Sequence, residues 1–243
     1  MNSQLYTAAS GMLVEQRRLE LISNNLANVS TPAYRSQRAF STVYQRFGPD
    51  ADEGIRAANA GVALAGTYDV PGPAPLRQTG RDLDVALDAD QFLAVQTKAG
   101  RRYTRAGSLE VSASGALTDG MGNPVLGASG KPISGLAPGA TVTGDARVMS
   151  EDGEAGRLLV MSDPKRVLRP EGNSLSAPEG GDAALAKVAD PAVRPGWLEG
   201  SGTNALGELV ELIQAQRSFE TYQKIVSTTM NETNKKAVSD IAG

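Results

Sequence analysis

The chain has 243 residues, 40% of them hydrophobic and 21% charged, with a net charge of −3 and neither His nor Cys. Those two zeros exclude disulfides, thiolate nucleophiles, Cys-ligated zinc or iron–sulfur centres, a Ser-His-Asp triad and an imidazole base, and the negative balance argues against a dedicated nucleic-acid binder. With 27 Gly and 13 Pro a purely helical bundle is not expected, and the length fits one domain with appendages or two modest domains.

The start, MNSQLYTAASGMLVEQRR, lacks a basic leader followed by an apolar block, so it does not read as a secretory signal peptide. No run of about 18 apolar residues is present to span a bilayer as a helix. By these rules alone the chain would remain inside the cell. From Gln4 to Val29 the spacing predicts a helix: Leu5, Met12, Leu19 and Leu26 recur every seven residues, with Ala8, Ile22 and Val29 three further along and Glu15 the one misfit. At the usual rise this helix is about 39 Å long. Pro32 should stop it, because Pro lacks an N–H and pushes Thr31 out of the α region.

The stretch Phe40 to Val70 has weak periodicity and reads as a connector. From Asp69 to Trp197, segments of β type alternate with Gly-rich turns: Leu83–Leu87, Phe92–Thr97, Arg102–Arg105, Leu109–Ser112, Thr141–Ser150 and Arg157–Met161. Ala99-Gly100, Ser114-Gly115 and Asp152-Gly153 are the hairpin signals between them. Pro164 to Pro195 shows no clear period. A second, longer helix runs from Asn204 to Ile241, its stripe being Leu209, Leu212, Gln216, Phe219, Gln223, Val226, Met230, Thr233 and Ala237. Thr203 or Asn204 can cap it, and Glu208 and Glu211 lie near its positive pole.

The predicted fold is therefore a mainly β central domain of antiparallel hairpins, flanked by N- and C-terminal α-helices that form an antiparallel coiled-coil-like pair. The expected divisions are an N-terminal axial helix over 1–32, a connector over 33–68, a β-rich domain over 69–200 and a C-terminal axial helix over 201–243. The helices differ by about 12 residues, which leaves about 18 Å of the longer one without a partner. Helices of this kind complete their burial against other subunits, or fold back on the β domain; the pattern alone leaves both open.

The motifs of chemistry fail one by one. The acid run Asp82 to Asp90 lacks the Gly and Glu an EF-hand loop needs, and reads instead as a strand with one wet face. Gly127 to Pro132 lacks the first Gly and the Ser/Thr of a phosphate loop, and the last Gly of a nucleophile elbow. Arg17, Arg18, Arg35, Arg38 and Arg46 read as solvated faces rather than an anion site. Asn24 and Asn28 lie one turn apart beside the Pro32 break, where they can bond the backbone of an abutting segment or simply face solvent.

At these asparagines a resemblance enters. Tyr6-Thr7-Ala8-Ala9-Ser10-Gly11-Met12 and Ile22-Ser23-Asn24-Asn25-Leu26-Ala27-Asn28-Val29-Ser30-Thr31-Pro32 resemble the N-terminal signature of bacterial flagellar rod and hook proteins. Leu198-Glu199-Gly200-Ser201 and the run Glu208 to Glu220 resemble the family's C-terminal block, and Tyr103-Thr104-Arg105-Ala106-Gly107-Ser108-Leu109 its β-domain motif. The family usually has Gly where Ala33 stands, and Ser-Asn-Val where Ser201-Gly202-Thr203-Asn204 stands. Within the family the chain looks most like a proximal rod component, with the distal rod as runner-up and the longer hook protein less similar.

The resemblance implies a structural subunit of the basal-body rod, assembling helically with other rod subunits and neighbouring axial proteins across the periplasm and transmitting torque, with no cofactor. It implies export by the flagellar type III apparatus without a cleaved signal peptide, with Phe40 and Tyr44 as an export motif of the Phe-x-x-x-hydrophobic kind. The assembly interface it implies, taken with the stripes, comprises Leu5, Met12, Leu19, Ile22, Asn24, Asn25, Leu26 and Asn28 on the first helix. On the second it comprises Leu209, Leu212, Ile213, Gln216, Phe219, Val226 and Met230. The reading from another class is a carboxylate- or metal-dependent enzyme on a β scaffold, using Asp82, Asp84, Asp88 or Asp90.

Overall fold

Good helix formers fill both ends of the chain, and the helices form where the apolar spacing puts them. The computed structural model describes residues 2–46, 59–70, 74–88, 90–165, 167–172, 174–179 and 181–242. Helix α1 spans Asn2–Ala27 and helix α2 spans Ala205–Ala242. The Asn28 N–H reaches back to the Asn24 and Asn25 carbonyls at 3.2 and 3.1 Å, and the chain then leaves helical geometry ahead of Pro32. Asn204 caps α2, its Oδ1 accepting from the N–H groups of Leu206 and Gly207 at 3.1 and 3.3 Å.

The chain divides into two compact units, one made of Met1–Val29, Ser36–Val70 and Thr203–Gly243, the other of Ser30–Arg35 and Pro71–Gly202. The first, helical unit also holds strands β1 (Gln37–Arg46) and β2 (Asn59–Asp69), paired antiparallel from Gln37↔Asp69 to Arg46↔Asn59. These strands occupy the stretch expected to be a connector. They escape a period-two reading for two reasons. A bulge between Phe40 and Ser41 shifts the phase midway. Apolar side chains also lie on both sides of the ribbon: the consecutive Val62, Ala63 and Leu64 are all half-buried, and Phe40, Val43 and Tyr68 are at least half exposed. Ser10 fastens α1 to β2: its Oγ accepts from the Val62 N–H at 3.1 Å and donates to the Thr7 carbonyl at 2.8 Å.

Among the described residues of the second unit the regular structure is β, apart from one 3-10 turn over Asp182–Ala184. In chain order its strands are β3 (Leu76–Gln78), β4 (Val85–Leu87), β5 (Gln91–Thr97), β6 (Gly100–Thr104), β7 (Leu109–Val111) and β8 (Leu117–Asp119). There follow β9 (Thr141–Val142), β10 (Arg147–Ser150), β11 (Gly153–Arg157), β12 (Val160–Ser162), β13 (Leu168–Gly172), β14 (Leu175–Pro178), β15 (Ala186–Lys187), β16 (Val193–Pro195) and β17 (Trp197–Glu199). Its largest sheet is antiparallel, six strands in the order β13-β14-β6-β5-β12-β15. Strand β5 lies inside it, and period-two geometry divides its residues between two cores. Leu93 and Val95 join Val85, Leu109, Leu117, Val148 and Val160 on one side, while Ala94 joins Tyr103, Leu126 and Met161 on the other. Burial of Tyr103 pushes its phenol up to about 12, and the nearby Asp182 carboxylate adds to the rise.

Four sequence expectations are corrected here. Thr141–Ser150 is not one strand, because the chain turns between β9 and β10, with Ala146 at φ 63° and the Thr143 N–H bonded to the Arg147 carbonyl at 2.9 Å. Arg157–Met161 is divided between the end of β11 and the start of β12. Val85, Ala86 and Leu87 are all buried rather than alternating with a wet face, and Asp84 is buried beside them with its Oδ1 3.7 Å from the Arg81 guanidinium. The proline-rich stretch after Pro164 is structured by four short strands, β13 to β16, too short to leave a period.

Glycine is required at one motif position. A Cβ on Gly107 would overlap the Val85 carbonyl oxygen, while the Val85 N–H bonds the Gly107 carbonyl at 2.9 Å. At Ala33, where the resemblance leads one to expect glycine, the backbone is left-handed with φ 56° and the methyl group is buried.

Candidate assembly interface

Where α1 and α2 meet, small and polar residues line the contact as much as the apolar stripes do. On α1 the buried positions are Ala8, Gly11, Leu21, Ile22 and Asn25. On α2 they are Glu208 and Ala215, with Leu212, Phe219, Tyr222, Val226 and Thr229 half-buried. Glycine in mid-helix is explained by the ring opposite: a Cβ on Gly11 would sit 2.7 Å from Cε1 of Tyr222.

Three of the expected interface residues of α2, namely Leu212, Phe219 and Val226, lie on the packed side. The other half of that stripe does not: Leu209, Gln216 and Met230 are exposed, and so is Ile213. The line that takes their place is one residue earlier in phase, Glu208, Ala215, Tyr222 and Thr229. On α1 Ile22 is buried within the unit, and Leu5, Met12, Leu19 and Leu26 are half-buried flankers. Glu15, the misfit of the expected seam, belongs to the packed side, with 16% of its side chain exposed.

A polar network crosses this unit. Arg38 on β1 donates to Glu208 at 2.9 Å and also to Glu211, both on α2. Arg18 on α1 stands 3.8 Å from Glu15 and 3.8 Å from Glu211. Asn25 is fully buried and bonds three ways: its Nδ2 donates to the Gln37 carbonyl at 3.0 Å and to Glu208 at 3.3 Å, and its Oδ1 accepts from the Gln37 N–H at 2.9 Å. The side-chain amide thus pairs with the backbone of β1 as a neighbouring strand would. Asn25 grips an abutting segment in this way, and the Asn28 Nδ2 bonds the Asn24 carbonyl and Oδ1 at 2.9 Å each.

The reading of the arginines as solvated faces is corrected by these pairs. Arg38 is held by two carboxylates because Glu208 is buried and requires a cation, and Arg35 in the β unit is paired with Glu199 at 2.6 Å. Arg17 is exposed and pairs with Glu20, one turn away. The side chains of Arg46, Tyr44 and Ala237 lie outside the described residues; Phe40, the other half of the expected export motif, pairs with Gly66 in the ribbon and is 50% exposed.

Outside the packed side, α2 carries a second apolar row. Leu206, Leu209, Val210 and Ile213 follow the i, i+3, i+4, i+7 spacing of one helix face and are 43–73% exposed. On α1, Tyr6 and Leu13 are 52% and 63% exposed and line an apolar cleft with Val62 and Leu64 of β2. Among the described residues no group of three His, Cys, Asp or Glu could hold a metal, and no helix is long and apolar enough to cross a membrane.

Two family models match the two ends of the chain, and the likeness to relatives runs through nearly its whole length. Residues 5–35 match the family model described as flagella basal body rod protein, and residues 194–239 match that of the flagellar basal body rod FlgEFG protein C-terminal. The chain is 32% identical over 255 residues to the flagellar basal-body rod protein FlgF of Escherichia coli, covering 94% of each chain. It is 30% identical over 240 residues to FlgF of Mesorhizobium japonicum, covering 97% of this chain and 96% of that one. It is 28% identical over 260 residues to the basal-body rod protein FlgG of Bacillus subtilis, covering 94% and 96% respectively. Likeness of this extent, with helical ends built around contacts rather than chemistry, places the chain in the flagellar basal-body rod protein family, as a structural subunit of the rod and not an enzyme.

Proposed function

We propose that the chain assembles helically, with copies of itself and with other rod subunits, through its two terminal helices, and that rigid helix packing transmits torque for swimming. The carrying observation is the second apolar row of α2, Leu206, Leu209, Val210 and Ile213, which the chain itself leaves largely exposed. A contact made between unlike surfaces and repeated without closing produces a helical filament rather than a ring.

In this reading α1 and α2 form an antiparallel coiled-coil-like pair. Its support is the order of the contacts, Gly11 with Tyr222, Arg18 with Glu211 and Asn25 with Glu208, in which one helix ascends as the other descends. The axial parts are then 1–32 and 201–243, with the β-rich domain over 69–200. Helix α2 has 38 residues against 26 in α1, so about 18 Å of it extends past the pair for neighbours to cover. The interface comprises the half-buried flankers Leu5, Met12, Leu19 and Leu26, with Asn24 and Asn28, and on α2 Leu209, Leu212, Ile213, Gln216, Phe219, Val226 and Met230. Ile22 and Asn25 hold the shape of the surface from within. The subunit reaches the periplasmic rod through the type III export apparatus without cleavage of a leader, Phe40 to Tyr44 serving as the export motif. Its position is the proximal rod.

The test compares Leu209→Asp and Ile213→Asp with the wild type in swimming and in rod incorporation seen by electron microscopy. Both variants are expected to melt as the wild type does and to fail in assembly; a truncation lacking residues 204–243 is expected to fail in assembly while its β domain stays folded. Normal incorporation of the two exposed-row variants would overturn the reading.

A further inference from the structure

The β unit is made of two pieces of chain, Ser30–Arg35 and Pro71–Gly202, so the backbone passes into and out of it four times. These passages converge on one side chain. Glu199, at the end of β17, is 2% exposed. Its Oε1 accepts from Arg35 at 2.6 Å and from the Ala74 N–H at 3.3 Å. Its Oε2 accepts from Nε of Arg105 at 2.7 Å and lies 2.6 Å from Nη2 of the same guanidinium. Arg105 is anchored independently, donating to the Asp88 and Gln91 carbonyls at 3.0 and 2.8 Å and lying over the Phe92 ring at 5.6 Å.

Backbone bonds tie the same segments to one another. The Ala33 N–H donates to the Glu199 and Gly200 carbonyls at 3.0 and 3.2 Å, the Gly200 N–H to the Pro75 carbonyl at 2.8 Å, and the Gly202 N–H to the Tyr34 carbonyl at 2.8 Å. Gly200 lies close enough to Pro75 that a Cβ would approach its carbonyl oxygen to 3.0 Å. Apart from Phe92, which packs against one of them, none of these groups belongs to the two apolar cores of the unit.

We propose that Glu199 is a pin: one buried carboxylate, seated on the fixed guanidinium of Arg105, fastens all the segments by which the chain enters and leaves the β unit. Its work is to hold those segments, and the cores fold without it. A carboxylate suits the task because it is acceptor-only with two oxygens, so it can take two guanidinium groups and a peptide N–H at once. A neutral amide of the same shape has one acceptor oxygen and brings two unwanted donors. The inference does not depend on the assembly reading above, and its test uses the unassembled full-length chain.

Amide exchange by NMR is compared between the wild type and Glu199→Gln at Ala33, Ala74, Gly200 and Gly202, and at the core amides of Ala94, Leu117 and Leu126. The expected result is exchange at least about tenfold faster at the four pinned amides, by local opening, with the core amides unchanged. Equal acceleration at both sets would mark Glu199 as an ordinary stabilising residue and overturn the proposal, as would no acceleration at the pinned set. Should Glu199→Gln fail to fold, Arg35→Gln removes only the more exposed arginine, and faster exchange confined to Ala33 and Gly202 is expected. Unchanged exchange there, or failure of both variants to fold, would overturn it equally.

Discussion

Helix propensity and the packed structure make opposite predictions for Gly11→Ala. In an open helix the change stabilises by about 1 kcal/mol, because alanine has less backbone freedom to lose. Here the added Cβ would stand 2.7 Å from Cε1 and 2.8 Å from Cζ of Tyr222. Carbon atoms are at their optimum about 3.5–4.0 Å apart, so a ring or a helix has to move by close to 1 Å. Overpacking of this kind costs about 1–3 kcal/mol, which leaves a net loss of about 0–2 kcal/mol after the helical gain. In a Tyr222→Ala background the obstacle is gone, and the same change should stabilise by about 1 kcal/mol. Urea unfolding of the four proteins of this cycle, followed by helical circular dichroism, measures the coupling directly. A gain of about 1 kcal/mol from Gly11→Ala in both backgrounds would refute the packing of α1 on Tyr222.

Ala33→Gly should leave stability unchanged or raise it by up to about 1 kcal/mol in thermal unfolding, since relief of about 1–2 kcal/mol of left-handed strain offsets a lost methyl contact and greater unfolded freedom; Ala33→Val should lower the melting temperature. Glu208→Gln removes one of the two carboxylates that hold Arg38 and leaves Glu211 as its partner, so urea unfolding should show a loss of about 1–2 kcal/mol, below that of a fully broken buried pair because Arg38 is 29% exposed. One of the six tyrosines should ionise only near pH 12 in ultraviolet titration of the folded chain, and Tyr103→Phe should remove that late step. Because the folded phenol holds its proton more tightly than the unfolded one at 10.0, its contribution to stability is complete below pH 10 and is lost as the pH rises toward 12.

The helices could be read from spacing alone, because each is long, periodic and bounded by a Pro or an Asn cap. Which sides of them meet could not. Apolar stripes select Leu209 and Met230, but the packed line runs through Glu208, Ala215 and Tyr222, and on α1 through Ala8, Gly11 and Asn25. Small residues let helices approach, and paired polar ones can be buried, so hydrophobicity finds Leu212, Phe219 and Val226 but not the line of small and polar residues that packs beside them. The network has the same obscurity: Arg38 and Glu208 are 170 residues apart, and nothing local to either predicts the other. Strands β1 and β2 were hidden by a bulge and by apolar residues on both sides, while β5 was plain because Phe92 to Thr97 is a short, strongly apolar run. The glycines were visible as glycines, but their reasons, Tyr222 for Gly11 and the Val85 carbonyl for Gly107, needed three dimensions.

The amide of Asn25 also bears on how the subunit ages. Asparagine is among the thermally labile residues, and this one is fully buried in the polar network of the helical unit. Loss of its ammonia would turn Asn25 into a carboxylate, removing the donor that serves the Gln37 carbonyl and setting like charge against Glu208. Burial and the rigid helical backbone of α1 protect the side chain that holds β1 in register. The position least able to tolerate such chemical wear is therefore kept where the reaction has the least freedom to begin.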